Sequence, residues 1–137
     1  MPAHILIVDA DAAAAQVTRA IVQRAAPDAQ LTVVPDLREA YRELKHEPPD
    51  VLIIDPSPHP LAGVELAAAV KRRHAEGQVI VLASRPTAAL SRQMRNLGVD
   101  LYLEKPAPLP VDEVRRLLQR GRRDGVAERA GDRQGVA

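Results

Sequence analysis

The sequence predicts an α/β domain with a single parallel sheet covered on both faces by helices. Three observations predict it. Short apolar runs alternate with helical patterns along most of the chain. The runs are nearly continuous in Val, Ile and Leu, as strands buried on both faces require. Pro, Gly or Asp marks almost every junction between a run and a helical pattern. The 137 residues suit one domain, and the 46% that are hydrophobic supply a core. That core is drawn mainly from Ala, Val, Leu and Ile, since Phe and Trp are absent and Tyr41 and Tyr102 are the aromatic residues.

The elements follow in order. His4-Ile5-Leu6-Ile7-Val8 is too short for a buried helix and reads as a central strand ending at Asp9. Asp11 to Ala26 is an Ala-rich helix with Ala14, Val17, Ile21 and Val22 on its apolar face, and Pro27 follows it. Leu31 to Val34 is a second strand. Asp36 and Glu39 have the spacing of a capping box, which starts a helix reaching about Glu47, before Pro48 and Pro49. Val51 to Ile54 is the third strand, ending at Asp55. The loop from Pro56 to Pro60 contains three prolines, which lack amide donors. Ala62 to His74 is the next helix, with Gly77 beyond it. Val79 to Ala83 is the fourth strand. Thr87 caps a helix to about Asn96, ended by Gly98. Val99 to Leu103 is the fifth strand, Lys105 to Pro110 a Pro-rich turn, and Val111 to about Arg120 the last helix. The domain of this pattern, residues 1–121, is followed by a Gly-, Arg- and Asp-rich tail (122–137) that cannot bury much surface and is expected to be disordered.

Composition excludes several classes of function. A formal net charge of +1 gives no field to draw nucleic acid or an anionic membrane, and Arg115, Arg116, Arg120, Arg122 and Arg123 read as a solvated face with acids interspersed. Without cysteine there are no disulfides or thiolate metal sites. The first strand begins almost at Met1, which leaves no room for a signal peptide, and no apolar run approaches the ~20 residues that span a bilayer. A soluble, cytoplasmic protein is expected. His4, His46, His59 and His74 lack metal-ligand spacing and are expected on the surface or in loops.

In parallel α/β sheets, ligands sit outside the carboxyl ends of the strands. Asp9 ends the first strand, Asp55 the third, Ser84 follows the fourth and Lys105 the fifth. These four polar residues therefore converge on one edge. Taken singly, each has an ordinary reading as a strand-end acid, a loop cap or a surface lysine. Taken together, Asp55 can act as a nucleophile towards phosphorus and form an aspartyl phosphate. Lys105 and Ser84 would supply charge and a donor to the phosphoryl oxygens. Asp9 beside Asp55 concentrates negative charge, which calls for a divalent cation.

The segments Ile5 to Asp9, Asp50 to Asp55, Val81 to Ser84 and Leu97 to Pro106 resemble the signature blocks of response-regulator receivers, the CheY-like phosphoacceptor domains of bacterial two-component signal transduction. Gly63-Val64-Glu65-Leu66 is similar to the start of that family's third helix, and the likeness spans about residues 3 to 120. The resemblance implies a flavodoxin-like, doubly wound sheet of strand order 2-1-3-4-5. It implies that Asp55 accepts a phosphoryl group from a histidine kinase or phosphotransfer protein in a signalling domain that is not a conventional enzyme. Ser84 and Tyr102 would be the switch residues. They would alter the face made by the fourth helix, fifth strand and fifth helix, where downstream partners or a second copy bind. Lys105-Pro106 is similar to the family's cis peptide.

The pattern departs from the family at four places. Ala10 stands where the family carries a second acid that ligates Mg²⁺. This leaves Asp55, the backbone carbonyl of Ser57 and, through water, Asp9 as the implied ligands of a weakened Mg²⁺ site. Asp11 is a substitute ligand or, on its ordinary reading, the cap of the first helix. His59 lies where the family often has Pro, Arg85 follows Ser84 in place of a small residue, and Ala107 replaces an aromatic. The main rival is a degenerate receiver that binds proteins without being phosphorylated. A flavodoxin-like cofactor binder is disfavoured, because no Gly-rich phosphate loop follows the first strand.

Overall fold

A computed structural model of the chain describes residues 2–119. Its elements are β1 (His4–Val8), α1 (Ala12–Ala25), β2 (Gln30–Val34), α2 (Leu37–His46), β3 (Val51–Ile54), α3 (Pro60–Arg73), β4 (Gln78–Ala83), α4 (Ala88–Leu97) and β5 (Leu101–Glu104). A fifth helix, α5, occupies residues 111–119. The five strands are parallel and lie in the order β2-β1-β3-β4-β5. Arg120 and the tail over 122–137 lie outside the described residues.

Strand alternation divides the core into two layers. Leu6, Val8, Leu52, Ile54, Val79 and Val81 face one way and meet Ala40 and Leu44 of α2, Leu66 and Val70 of α3, and Leu90 and Met94 of α4. Ile5, Ile7, Val51, Ile53, Ile80 and Leu82 face the other way and meet Val22 and Ala25 of α1 and Val114, Leu117 and Leu118 of α5. Every residue of β1, β3 and β4 is buried, which explains why these strands read as unbroken apolar runs. Leucine side chains without solvent contact, such as Leu52 and Leu66, each hold about 2–5 kcal/mol against truncation to alanine.

Several boundaries and faces differ from expectation. α3 begins at Pro60, not Ala62: proline at the first helical position has no amide to lose, and its φ already suits a helix. β5 begins at Leu101, because the Val99 amide still bonds to Met94 O and the Asp100 carboxylate receives the Val79 amide and Lys71. The buried stripe of α1 is Ala15, Thr18, Val22 and Ala25, and Val17 is 60% exposed. An Ala-rich helix has several candidate stripes of similar apolarity, so composition did not select among them. At α2 the Asp36 carboxylate accepts the Glu39 amide, the first half of the expected capping box. His4 is buried within β1 and bonds through Nε2 to Thr32 Oγ1, and His74 is half-buried and meets Asp50 at 3.2 Å, so neither is a free surface residue.

Candidate functional site

The site lies at the carboxyl edge of the sheet. Three backbone bonds extend the ladder one residue past the strands and place its side chains. Asp9 N donates to Val34 O at 3.2 Å, Asp55 N to Val8 O at 2.9 Å, and Lys105 N to Ala83 O at 2.9 Å. The acids are thereby held on adjacent central strands and the lysine at the end of β5.

Each carboxylate is fixed at both oxygens. Asp9 Oδ1 accepts the Asp11 amide at 2.9 Å, and Asp55 Oδ1 accepts the Ser57 amide at 3.0 Å. The second oxygens of both converge on one amine: Lys105 Nζ donates to Asp9 Oδ2 at 2.7 Å and to Asp55 Oδ2 at 2.9 Å. Asp9 and Asp55 are 5% and 6% exposed, so the amine is a counter-ion that two nearly buried charges require. The Lys105–Pro106 peptide is cis, as is Ser57–Pro58.

The electrostatics follow from these contacts. Burial pushes the Asp55 carboxyl up, but the hydrogen bonds from Lys105 and the Ser57 amide, the nearby Ser84 hydroxyl and the Lys105 charge outweigh it and hold the group below the usual carboxylate range. Burial pushes the Lys105 amine down, while hydrogen bonds to Asp9 and Asp55 and their charges lift it above the ordinary lysine value. Asp55 is thus held as an anion beside the Lys105 amine. Ser84, in the exposed loop after β4, stands close enough to lower Asp55, but the aligned bonds to that carboxylate come from Lys105 and Ser57.

The remaining candidates are placed as follows. Asp11 is committed to the N-cap of α1, where its Oδ1 accepts the Ala13 and Ala14 amides at 3.0 and 3.1 Å. That is the ordinary reading of Asp11, the cap of the first helix, in which the carboxylate is turned to the helix terminus. Ala10 is exposed and offers no donor. Among the described residues no group of three His, Cys, Asp or Glu side chains is placed to hold a metal. Two carboxylates still fit Mg²⁺, which commonly takes one or two of them and keeps several waters. Tyr102 lies on β5, packed against the α2–α3–α4 layer, with its hydroxyl buried and without a partner among the described residues. Sequence reasoning missed the amides of Asp11 and Ser57 as anchors of the two acids. The signal was the polar residue two positions after each aspartate, a spacing that Asx turns use.

The family model for the response regulator receiver domain matches residues 5–118. The chain belongs to the response regulator receiver family. Solved structures agree with this receiver in fold. A CheY-like receiver domain protein from Methanospirillum hungatei matches with a TM-score of 0.70 at 20% identity, covering 100% of both chains. A receiver domain protein from Clostridium thermocellum matches at 0.73 and 18%, covering 91% of this chain and 98% of that one. The chemotaxis protein CheY4 of Vibrio cholerae matches at 0.68 and 22%, covering 88% and 98%. No curated protein matches this receiver by sequence. Receivers are signalling domains whose general function is phosphoryl acceptance. They generally bind Mg²⁺ at the phosphorylation site and interact with histidine kinases or phosphotransfer proteins and with downstream partners. Among the described residues no helix is long and apolar enough to cross a membrane.

Proposed function

We propose that this receiver, residues 1–121, takes a phosphoryl group on Asp55 from a histidine kinase or phosphotransfer protein. The observation that carries the reading is the Lys105 amine shared between Asp9 and Asp55, a cation set beside a fixed, ionised nucleophile. In the transfer, an Asp55 carboxylate oxygen forms the new bond to phosphorus as the donor's nitrogen–phosphorus bond breaks, and the electron pair returns to the donor imidazole. Lys105 then exchanges one carboxylate contact for a phosphoryl oxygen, and Ser84 supplies a hydroxyl to another. Asp9, Asp55 and the Ser57 carbonyl would hold Mg²⁺. When bound, the ion neutralises charge on the phosphoryl oxygens.

Tyr102 and Ser84 form the switch in this reading. Among the described residues the Tyr102 hydroxyl is buried without a partner, an arrangement that costs about 1–3 kcal/mol, so a rotamer that returns it to water is accessible. Phosphorylation that draws Ser84 inward would change the space behind it and bias Tyr102, altering the α4–β5–α5 face that a downstream protein or a second copy reads.

Beryllofluoride titration in Mg²⁺ tests the proposal. Saturable binding that Asp55→Asn abolishes is expected, and binding unchanged by that substitution would reject it. The second reading, a phosphorylation-independent interaction module, is favoured by Ala10 and by the commitment of Asp11 to its cap. It predicts no saturable binding at any Mg²⁺ concentration.

A further inference from the structure

The residues that follow β1, β3, β4 and β5 form the rim of the site. Most are Pro, Ala or Ser, and they include two permanent cations, Lys105 and Arg85. Lys105 is occupied by two carboxylates. Arg85 is exposed, and among the described residues it forms no salt bridge. Its backbone is constrained from both sides. On one side the Ala83 carbonyl, two residues before it, accepts the Lys105 amide at 2.9 Å. Pro86 after it biases Arg85 to extended backbone. Thr87 then caps α4 by accepting the Leu90 amide at 3.0 Å. The guanidinium thus hangs from a short, stiff connection next to the phosphoacceptor.

The charge balance gives it work. Asp9 and Asp55 carry two negative charges against one on Lys105, and a phosphoryl group on Asp55 adds more. Ala10 contributes no acid through which a cation could be held more tightly. We infer that Arg85 is a phosphoryl-binding residue: its guanidinium closes over the group carried by Asp55, donating hydrogen bonds to its terminal oxygens alongside those from Lys105 and Ser84. The planar fork of arginine matches phosphate oxygens in this way, and its weak hydration lowers the cost of leaving water. A guanidinium there also covers the face from which water attacks. In that hydrolysis a water oxygen bonds to phosphorus, the Asp55–phosphorus bond breaks, the Asp55 carboxylate is restored and inorganic phosphate leaves. Arg85 therefore slows the loss of the signal as well as strengthening the bound state. The inference rests on the phosphoacceptor reading of Asp55.

The test is beryllofluoride affinity in saturating Mg²⁺, followed by fluorine NMR, for the wild type, Arg85→Gln and Arg85→Glu. Arg85 is exposed, so both variants keep the fold. Arg85→Gln is expected to weaken binding about tenfold, as loss of a charge-assisted bidentate pair does, and Arg85→Glu further. After phosphorylation by acetyl phosphate, the lifetime of the aspartyl phosphate should shorten in the same order. Affinity of Arg85→Gln within roughly twofold of wild type, or Arg85→Glu binding no more weakly than Arg85→Gln, would overturn the role of Arg85 alone. Absence of binding in the wild type would remove the phosphoacceptor reading and this inference with it.

Discussion

Lys105 reaches Asp55 with its amine 2.9 Å from Oδ2 while the same amine holds Asp9 at 2.7 Å, so a single cation bridges two acids that would otherwise repel each other. Lys105→Met should therefore destabilise the fold by about 1–3 kcal/mol at neutral pH, less than a fully buried pair because the lysine is partly exposed. The pH dependence has a definite sign. Asp55 is held below its ordinary range, so its contribution is present above the unfolded carboxylate value and fades as pH falls through the folded one. Lys105 is held above its ordinary value, so its contribution is full below the unfolded lysine value and fades as pH rises through the folded one. Urea unfolding of the wild type should show the pair's full contribution between the two ranges. Without the amine the two acids repel, so the loss in Lys105→Met should shrink on acidification. A loss that grows towards acid pH would contradict this account.

Tyr102→Phe deletes a hydroxyl that has no partner among the described residues and keeps the ring against the core layer of α2, α3 and α4. A stabilisation of about 1 kcal/mol is expected from thermal or chemical unfolding, because a buried donor without a partner is removed. Destabilisation of similar size would mean the hydroxyl is hydrogen-bonded in solution.

Ala10→Asp restores a carboxylate beside Asp9. Mg²⁺ affinity measured by calorimetry should rise about tenfold, since ligand charge count governs the binding of such hard cations. Affinity that rises from nothing measurable would instead favour the interaction-module reading, and an unchanged affinity would show that position 10 faces away from the ion.

Gly63 in the first turn of α3 lies against the residue after Asp55: a Cβ there would sit 2.5 Å from the Pro56 Cβ and 3.0 Å from its Cα. Gly63→Ala must therefore move the helix or the Asp55 loop. Destabilisation of about 1–3 kcal/mol is expected, the range for overpacking, together with weaker beryllofluoride binding. Alanine accepted without loss in either measurement would mean that α3 can slide freely against the loop.

Much of the fold was legible from local patterns. β1 and β3 were found to the residue, because unbroken apolar runs between acids or prolines leave few alternatives. α4 was bracketed correctly by Thr87 and Gly98, whose φ of 79° is the left-handed cap that glycine favours. The errors share a cause. The stripe of α1, the burial of His4 and the start of β5 depend on what packs across from them, and neighbouring residues in sequence carry no record of that.

The sequence by itself determined the element order, the presence of a parallel sheet and the assembly of Asp9, Asp55, Ser84 and Lys105 at one edge, since strand polarity brings every strand's carboxyl end to the same side. Tertiary structure alone decided how these groups divide their contacts: one amine between two acids, Asp11 turned to a helix terminus, and Ser57 contributing its amide. Such choices depend on distances of a few ångströms between segments up to 96 residues apart, set by the packing of both core layers.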